Sequence, residues 1–546
     1  MNFDLPGTGT DQSPVFLNAA ACRDWLVKVP MVNAAHAQPM ILRQLNLLHR
    51  FALPPSERFA ILEVLRGPLG EAQEVAARKF AGKPLPLAPH EQEVLERTLA
   101  AWQMLALGYL RCFAALCSDA GGTAPASELL AQRTLSVFAD WQLDLCRGEQ
   151  LPDAAYWKKL HQVFSATETL GVATRPVSDP VRHGAVPTSA LAAYAECNLL
   201  SMANPYELQA RHLTWVARWA RRWGAKLSLL RAAPEDIRNR AVPLCVDLES
   251  DRAASYLPQP SAGSRWLETT ELRKSLLARI ALLEQGRAPA ELQLGDDVTQ
   301  PAAGQLLRQV LQRWCKGGTP RLEERHRASG GCSVIAGLEA VHYELSGRQP
   351  FRAPSRDPAT LRREREAFEV FGERRQPAAP AVEADASPVE HWQVTDDWRI
   401  LNKSASGLRI ARPLRTGARI GAGLLIAVRT LHSGHFVLGS VRWALRESSD
   451  SLVAGIQLFP GEAKPVAIRT VEGGEERGPW QQGFLLPEID APREPASVVV
   501  PAGTFRIDRS IEAMVDHEGQ VIKLFRVLDH GLEFERCSMY ARDPGR

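Results

Sequence analysis

Arginine, asparagine and serine at short fixed intervals mark two stretches of this chain as places that can hold an anionic, hydrogen-bonding ligand. "TPRLEERHRASGG" places Arg321 and Arg325 with three residues between them and Arg327 close behind. "WRILNKSASGLRI" places Asn402, Ser404 and Gly407 between two apolar runs. Guanidinium groups are planar and permanently charged, and they both fork onto phosphate oxygens and stack on aromatic rings. Asn and Ser side chains offer donors and acceptors to a base edge, and Gly407 permits φ > 0 or a close backbone approach where a Cβ would clash. Together these residue types suit a phosphorylated purine. A plain Asn-Gly or Asp-Gly pair would close a two-residue hairpin, so this longer passage is either an ordinary long turn or one whose polar side chains are placed to hold something.

Other chemistries find less support. The nine cysteines are scattered and form no C-x-x-C pair, which reads as reduced, mostly buried thiols. His432-Ser433-Gly434-His435 sits at a hairpin turn without Cys or carboxylate company, so no metal is expected. Gly317-Gly318, Gly330-Gly331 and Gly421-Ala422-Gly423 lack the strand-then-helix frame of a phosphate loop. No Ser/His/Asp ordering or carboxylate pair stands out, and an enzyme is not expected. Lys plus Arg total 65 against 62 Asp plus Glu, a formal charge of only +3, unlike a nucleic-acid coat. Any anion site must be local, and nucleic acid is not expected as a partner. The arginine-rich stretch from Arg321 to Arg375 also holds Glu323, Glu324, Glu364, Glu366 and Glu369.

The elements that must carry these residues follow from periodicity. At 546 residues the chain is long for one core, and about 150 residues per domain implies three or four domains. From Phe16 to about Leu230 the pattern is helical, as in "LPPSERFAILEVLRGPLGEAQEVAARKF", where Pro54-Pro55-Ser56 starts a helix and Phe59, Leu62, Leu65 and Leu69 recur at spacings of three and four. Leu208, Trp215, Trp219 and Trp223 form an aromatic stripe read as core, with Arg211, Arg218, Arg221 and Arg222 solvated around it. Met1 to Val29 lacks a signal-peptide pattern, and the densest apolar stretch, Leu99 to Cys117, is broken by Gln103 and Arg111. It reads as a buried helix in a soluble, cytoplasmic protein without membrane insertion.

A mixed segment follows, with "AVPLCVDL" as a strand and helices in "ELRKSLLARIALLEQG" and "GQLLRQVLQRWCKGG", the second stopped by Gly317 and Gly318. From Cys332 the chain is mostly β. "CSVIAGLEAVHYEL", "SGLRIARP", "GLLIAVRT", "FVLGSVRWALRE" and "SLVAGIQLF" read as strands of a small barrel. Ser346 to Glu390 is Pro-, Ala- and charge-rich and reads as a surface insertion with one helix near Ala359 to Phe371. Beyond Pro479, "QGFLLPEI", "ASVVVPAGTFRI", "VIKLFRVLDHG" and "LEFERCSMYA" form a further β unit that either extends the barrel or stands as a separate sheet.

R-x-x-x-R ahead of a β-barrel, N-x-S-x-x-G after its first strand, and "GSVRWAL" followed by "VAGIQLF" resemble the PilZ-domain family, bacterial receptors for the second messenger cyclic di-GMP. The resemblance covers about Thr319 to Pro460, in the C-terminal part of the chain. It implies that Arg321 and Arg325 clamp phosphate and stack on guanine, with Arg327 beside them, and that Asn402, Ser404 and Gly407 form the guanine-side strip. Arg348 and Arg352 supply a second R-x-x-x-R, but Arg348 follows the first strand where the family's arm precedes it. The expected fold class is α+β and multidomain: an all-helical N-terminal domain (1–186), a second, mostly helical region (187–318), a PilZ-like small antiparallel β-barrel (319–475, with the insertion 346–390) and a C-terminal β unit (476–546). The expected function is a cytoplasmic cyclic di-GMP effector that signals to a protein partner through its helices. The rival reading is a PilZ-like adaptor that has lost its nucleotide and serves as a scaffold in motility, pilus or polysaccharide machinery.

Overall fold

The computed structural model describes residues 3–9, 12–118, 126–234, 240–257, 261–318, 326–354, 395–414, 416–431, 433–448, 450–472, 476–490, 494–515 and 518–541. The chain divides into two compact units, residues 1–83 with 87–322, and residues 84–86 with 323–546.

The first unit is helical: α1 (Ala19–Leu26), α2 (Ala34–Arg50), α3 (Pro55–Ala77), α4 (Pro89–Cys117), α5 (Ser127–Arg147), α6 (Ala154–Thr169), α7 (Pro180–His183), α8 (Ala190–Met202) and α9 (Ala210–Trp223). A small antiparallel sheet follows, β1 (Ser228–Leu230), β2 (Leu244–Asp247) and β3 (Ser264–Glu268) in the order β1-β3-β2, and then α10 (Thr270–Glu284) and α11 (Ala302–Cys315). Pro55 opens α3 at its first turn, where a missing N–H costs nothing, and Leu62, Leu65 and Leu69 are fully buried on one face. α4 is long and apolar enough to cross a membrane, yet 56% of its most apolar window is buried. It packs against α2, α3 and α5, which makes it a core helix.

The aromatic stripe of α9 is core too. Trp215, Trp219 and Trp223 are all buried, and the Trp219 indole N–H donates to the Leu294 carbonyl at 2.9 Å. The arginines around it are paired rather than simply solvated. Arg218 meets Asp297 at 2.7 Å, and Arg221 meets Asp140 at 3.0 Å and Glu196 at 3.2 Å. Carboxylates brought from α5, α8 and the segment after α10 meet these guanidiniums, and no local spacing reveals such pairs.

The second unit holds two closed barrels. The first is built from β4 (His326–Arg327), β5 (Gly331–Ala336), a helix α12 (Leu338–Leu345), β6 (Asp396–Lys403), β7 (Gly407–Pro413), β8 (Leu425–Thr430), β9 (Val437–Ser448) and β10 (Ser451–Leu458). Six antiparallel strands run β6-β5-β8-β9-β10-β7, β7 returns to pair with β6, and β4 pairs with the end of β6 on the same side as β5. The second barrel comprises β11 (Lys464–Glu472), β12 (Glu476–Arg477), β13 (Gln481–Leu486), β14 (Ser497–Pro501), β15 (Ser510–Val515), β16 (Glu518–His530) and β17 (Phe534–Ala541). Its order is β11-β13-β14-β17-β16-β15, closed by β15 on β11. Closure leaves no unpaired strand edge to template aggregation.

The β segment after residue 460 is therefore a barrel of its own, and its first strand lies ahead of residue 476. The two barrels share a core. Ile335, Leu338, Val341, Leu425 and Leu438 from the first pack with Phe484, Val499 and Phe534 from the second. "GLEAVHYEL", expected to continue a strand, is instead helix α12. Gly337 has φ +99°, which ends β5, and Leu338, Val341 and Leu345 then recur at helical spacing against that shared core. Glu533, at the β16–β17 turn, accepts the backbone N–H groups of Leu338 and Leu425 at 3.1 Å each, fixing the start of α12 beside β8.

Of the expected insertion, Ser346 to Pro354 are described. Gly347 and Arg348 take left-handed φ values of +71° and +61°, a reversal after α12. The remainder of that segment, with the helix expected near Ala359 to Phe371, lies outside the described residues.

Candidate functional site

Burial alternates along the start of β6. Asp396, Trp398 and Ile400 are buried inside the barrel while Asp397 and Arg399 are exposed on its outer wall. Unbroken alternation would turn Asn402 inward. The register shows why it does not: Ile400 pairs with Ile410 and Asn402 pairs with Arg409, so Leu401 is an extra residue, a β-bulge. A bulge shifts every later side chain to the other face. Asn402 thus joins Arg399 on the outer wall.

Across that wall the register aligns five residues from five strands. Arg327 on β4 pairs with Asn402, Asn402 with Arg409 on β7, Arg409 with Gly455 on β10, and Gly455 with Trp443 on β9. The Trp443 ring lies over Gly455, where a Cβ would come within 2.3 Å of it. The Arg409 guanidinium stands 6.0 Å from the Trp443 ring centroid and bonds Glu447 at 2.7 Å. Arg327 is exposed, and among the described residues its guanidinium has no hydrogen bond or ion pair.

Several polar atoms of this row are left without partners. Asn402 Oδ1 and Arg409 Nε are buried and unbonded. An unmet buried polar atom costs roughly 1–3 kcal/mol, so this acceptor is available to a donor from water or a ligand. The Ser404 hydroxyl makes no hydrogen bond either. The backbone of the turn, by contrast, is engaged at two points: Ser404 N–H donates to the Gly407 carbonyl at 2.8 Å, and Leu458 N–H donates to the Ser406 carbonyl at 2.8 Å, tying the turn to β10. Gly407 is explained by a close approach, since a Cβ there would lie 2.9 Å from the Ile456 carbonyl oxygen, and its φ is not left-handed.

Inside the barrel, behind this wall, Arg412 lies 4.8 Å over the Trp398 ring and 3.7 Å from Asp396. Burial raises the Asp396 pKa above its ordinary value, against the Ala418 N–H at 2.8 Å and the Arg412 charge, which lower it. This cluster plugs the end of the barrel.

The candidate residues therefore divide. Arg327, Asn402, Ser404 and Gly407 are brought together at one corner of the wall, whereas Arg321 and Arg325 lie outside the described residues. Arg348, of the competing R-x-x-x-R, bonds Glu344 at 3.0 Å on the last turn of α12. Trp443, Arg409 and Gly455 were not singled out from the sequence. "VRWAL" and "VAGIQL" are legible as strands, but strand register alone places that tryptophan beside that glycine. Among the described residues no group of three His, Cys, Asp or Glu side chains is placed to hold a metal ion.

Comparison with known proteins accounts for most of the chain. Residues 20–236 match the family described as "Cyclic-di-GMP receptor FimW, N-terminal domain", residues 244–465 "Cyclic-di-GMP receptor FimW, middle PilZ domain", and residues 466–539 "FimW C-terminal beta-barrel domain". The chain is 23% identical to the cyclic-di-GMP receptor FimW of Pseudomonas aeruginosa, over 91% of this chain and 87% of that receptor. The PilZ resemblance expected for the C-terminal part is thereby relocated: it belongs to the middle of the chain, and the β unit after it is a distinct C-terminal barrel.

Proposed function

We propose that this chain, which carries a PilZ domain as the middle of three regions matching the cyclic-di-GMP receptor FimW, is a cyclic di-GMP-binding effector. The observation that carries the reading is the row Arg327, Asn402, Arg409, Gly455 and Trp443 in register on the outer wall of that PilZ barrel, with the Asn402 acceptor unmet. In this reading the guanine N1–H and N2–H groups donate to Asn402 Oδ1 and Ser404 Oγ, the bare Gly407 position lets the base approach, and the Trp443 face offers it a stacking surface. Arg321 and Arg325, just before β4 in the sequence, clamp the phosphates together with Arg327. No metal and no catalytic step is called for, because recognition needs only hydrogen bonding, stacking and charge.

The helical region, residues 1–318, is the part that passes the signal to a protein partner in the cytoplasm. Binding shifts how that partner is engaged by no more than the ligand's differential affinity for the two states. Isothermal titration of the full chain with cyclic di-GMP, with GTP and single-stranded RNA as controls, is the test. Selective micromolar or tighter binding is expected. No heat with any of the three would overturn the reading in favour of a nucleotide-free adaptor.

A further inference from the structure

A pocket of about 680 Å³ opens where β6 begins, β7 ends and β10 begins, lined among others by Gly331, Arg399, Ala411, Pro413 and Asp450. Its lining includes none of the R-x-x-x-R or N-x-S-x-x-G residues. Arg399 is its one outward-facing cation among the described lining residues, exposed and making no hydrogen bond or ion pair. Its register neighbours are Gly331 on β5 and Ala411 on β7, so a hydrogen on one side and a methyl on the other leave the guanidinium room to lie across the wall.

The Leu401 bulge places Arg399 on the same face as Asn402, and the period of two along β7 places Ala411 on the same face as Arg409. The pocket is thus the next rung of the wall that carries the nucleotide row. Two carboxylates line the same pocket: Asp450, and Asp397, whose Oδ1 accepts from the Ser333 hydroxyl at 3.4 Å. A pocket lined by an outward guanidinium and two carboxylates matches guanine better than phosphate. Guanine presents two acceptors, O6 and N7, on one edge, and the N1–H and N2–H donors beside them. A phosphate would be repelled by both acids.

Resting on the proposed nucleotide site, we infer that Arg399 is a specificity-determining residue that forks onto the O6 and N7 atoms of the second guanine of cyclic di-GMP, the one not held by Asn402 and Ser404, seated in this pocket. Asp450 and Asp397 receive donors on its neighbouring edge and disfavour an anion there.

The test compares cyclic di-GMP with its analogue carrying 7-deazaguanine, which lacks the N7 acceptor, on the full-length protein and on Arg399→Ala. The wild type is expected to bind the deaza analogue at least about fivefold more weakly, and Arg399→Ala to bind both ligands alike, about tenfold below the wild type for cyclic di-GMP. An unchanged melting temperature accompanies this, since the side chain is exposed. Arg399→Ala that discriminates between the ligands as the wild type does, or binds cyclic di-GMP equally well, overturns the inference and leaves the effector reading standing. A wild type that is silent toward cyclic di-GMP removes both. Loss of the same factor for both ligands with discrimination retained assigns Arg399 to phosphate and overturns its role as a guanine reader.

Discussion

The two barrels of the second unit share size, closure and a common core, yet their outer walls have opposite character. On the second barrel Arg469 bonds Glu512 at 2.7 Å and stacks 4.1 Å over Trp480, while Arg536 bonds Ser497 at 3.0 Å and Glu494 at 3.1 Å. Those guanidiniums are held by carboxylates of the fold, although Arg469 Nη2 makes no hydrogen bond. On the first barrel the Arg327 and Arg399 guanidiniums have no partner among the described residues, Asn402 keeps an unmet acceptor, and a tryptophan lies over a glycine. Closure alone therefore does not mark a receptor. What marks it is polar capacity that the chain itself leaves unused, and a small closed barrel can carry either surface.

The sharpest way to break that contrast is to remove an arginine from each side. Arg321→Ala or Arg325→Ala is expected to cost about 2–5 kcal/mol of cyclic di-GMP affinity, the usual cost of truncating one member of a desolvated charge pair. The melting temperature should not move. Arg469→Ala should do the reverse, lowering the melting temperature and leaving affinity intact. If only Arg348→Ala and Arg352→Ala weaken titrations, the arm has been assigned to the wrong pair.

Gly407→Val sits at the meeting of fold and site. Its side chain would be driven toward the Ile456 carbonyl oxygen, 2.9 Å from even a Cβ, so roughly 1–3 kcal/mol of stability should be lost together with binding. Thermal melts and titrations on one preparation report both. A variant that melts normally would mean the β7–β10 wall yields there.

Ser404→Ala separates a turn from a holder. The backbone bonds of the turn survive the change, so stability should hold within a few tenths of a kcal/mol, while about 1 kcal/mol of affinity is lost if the hydroxyl meets the base. Wild-type affinity in this variant would reduce the stretch to a turn.

The smallest effect concerns the seam between the barrels. Burial raises the Glu533 pKa above its ordinary 4.5, although the N–H groups of Leu338 and Leu425 favour the ionised form. An acid that holds its proton more tightly when folded contributes less stability as pH rises from about 4.5 through its raised pKa. Glu533→Gln keeps an oxygen for both donors and cannot ionise, so its stability between pH 4.5 and 7 should decline less than that of the wild type. Superimposed denaturation profiles would show that Glu533 ionises without cost.

Much of the architecture was legible before any coordinates. The helical first half followed from three-and-four spacing, the strands β7 to β10 from their apolar runs, and the core nature of α4 and of the tryptophan stripe from composition. "KPVAIRTVE" and "SIEAMV" were not read as strands, although they are β11 and β15, whose pairing closes the second barrel. Their interrupted apolar patterns carry little local signal, and they become strands because a partner distant in sequence completes their hydrogen bonds. "GLEAVHYEL" was misread for the converse reason: its apolar residues suit a strand locally, but a shared core favours a helix.

The site divides in the same way. Residue types alone singled out Arg327, Asn402, Ser404 and Gly407 as candidates, because donors, acceptors and a missing Cβ are properties of single residues. Which of them share a face was decided by the bulge at Leu401, one residue that turns Asn402 from the interior to the wall. The tryptophan over Gly455, the engaged backbone of the 403–407 turn and the unpaired Arg399 beside its pocket likewise depend on register between strands. Register is a property of pairing across the sheet, fixed by closure of the barrel and burial of its inner face, and no single stretch of sequence contains it.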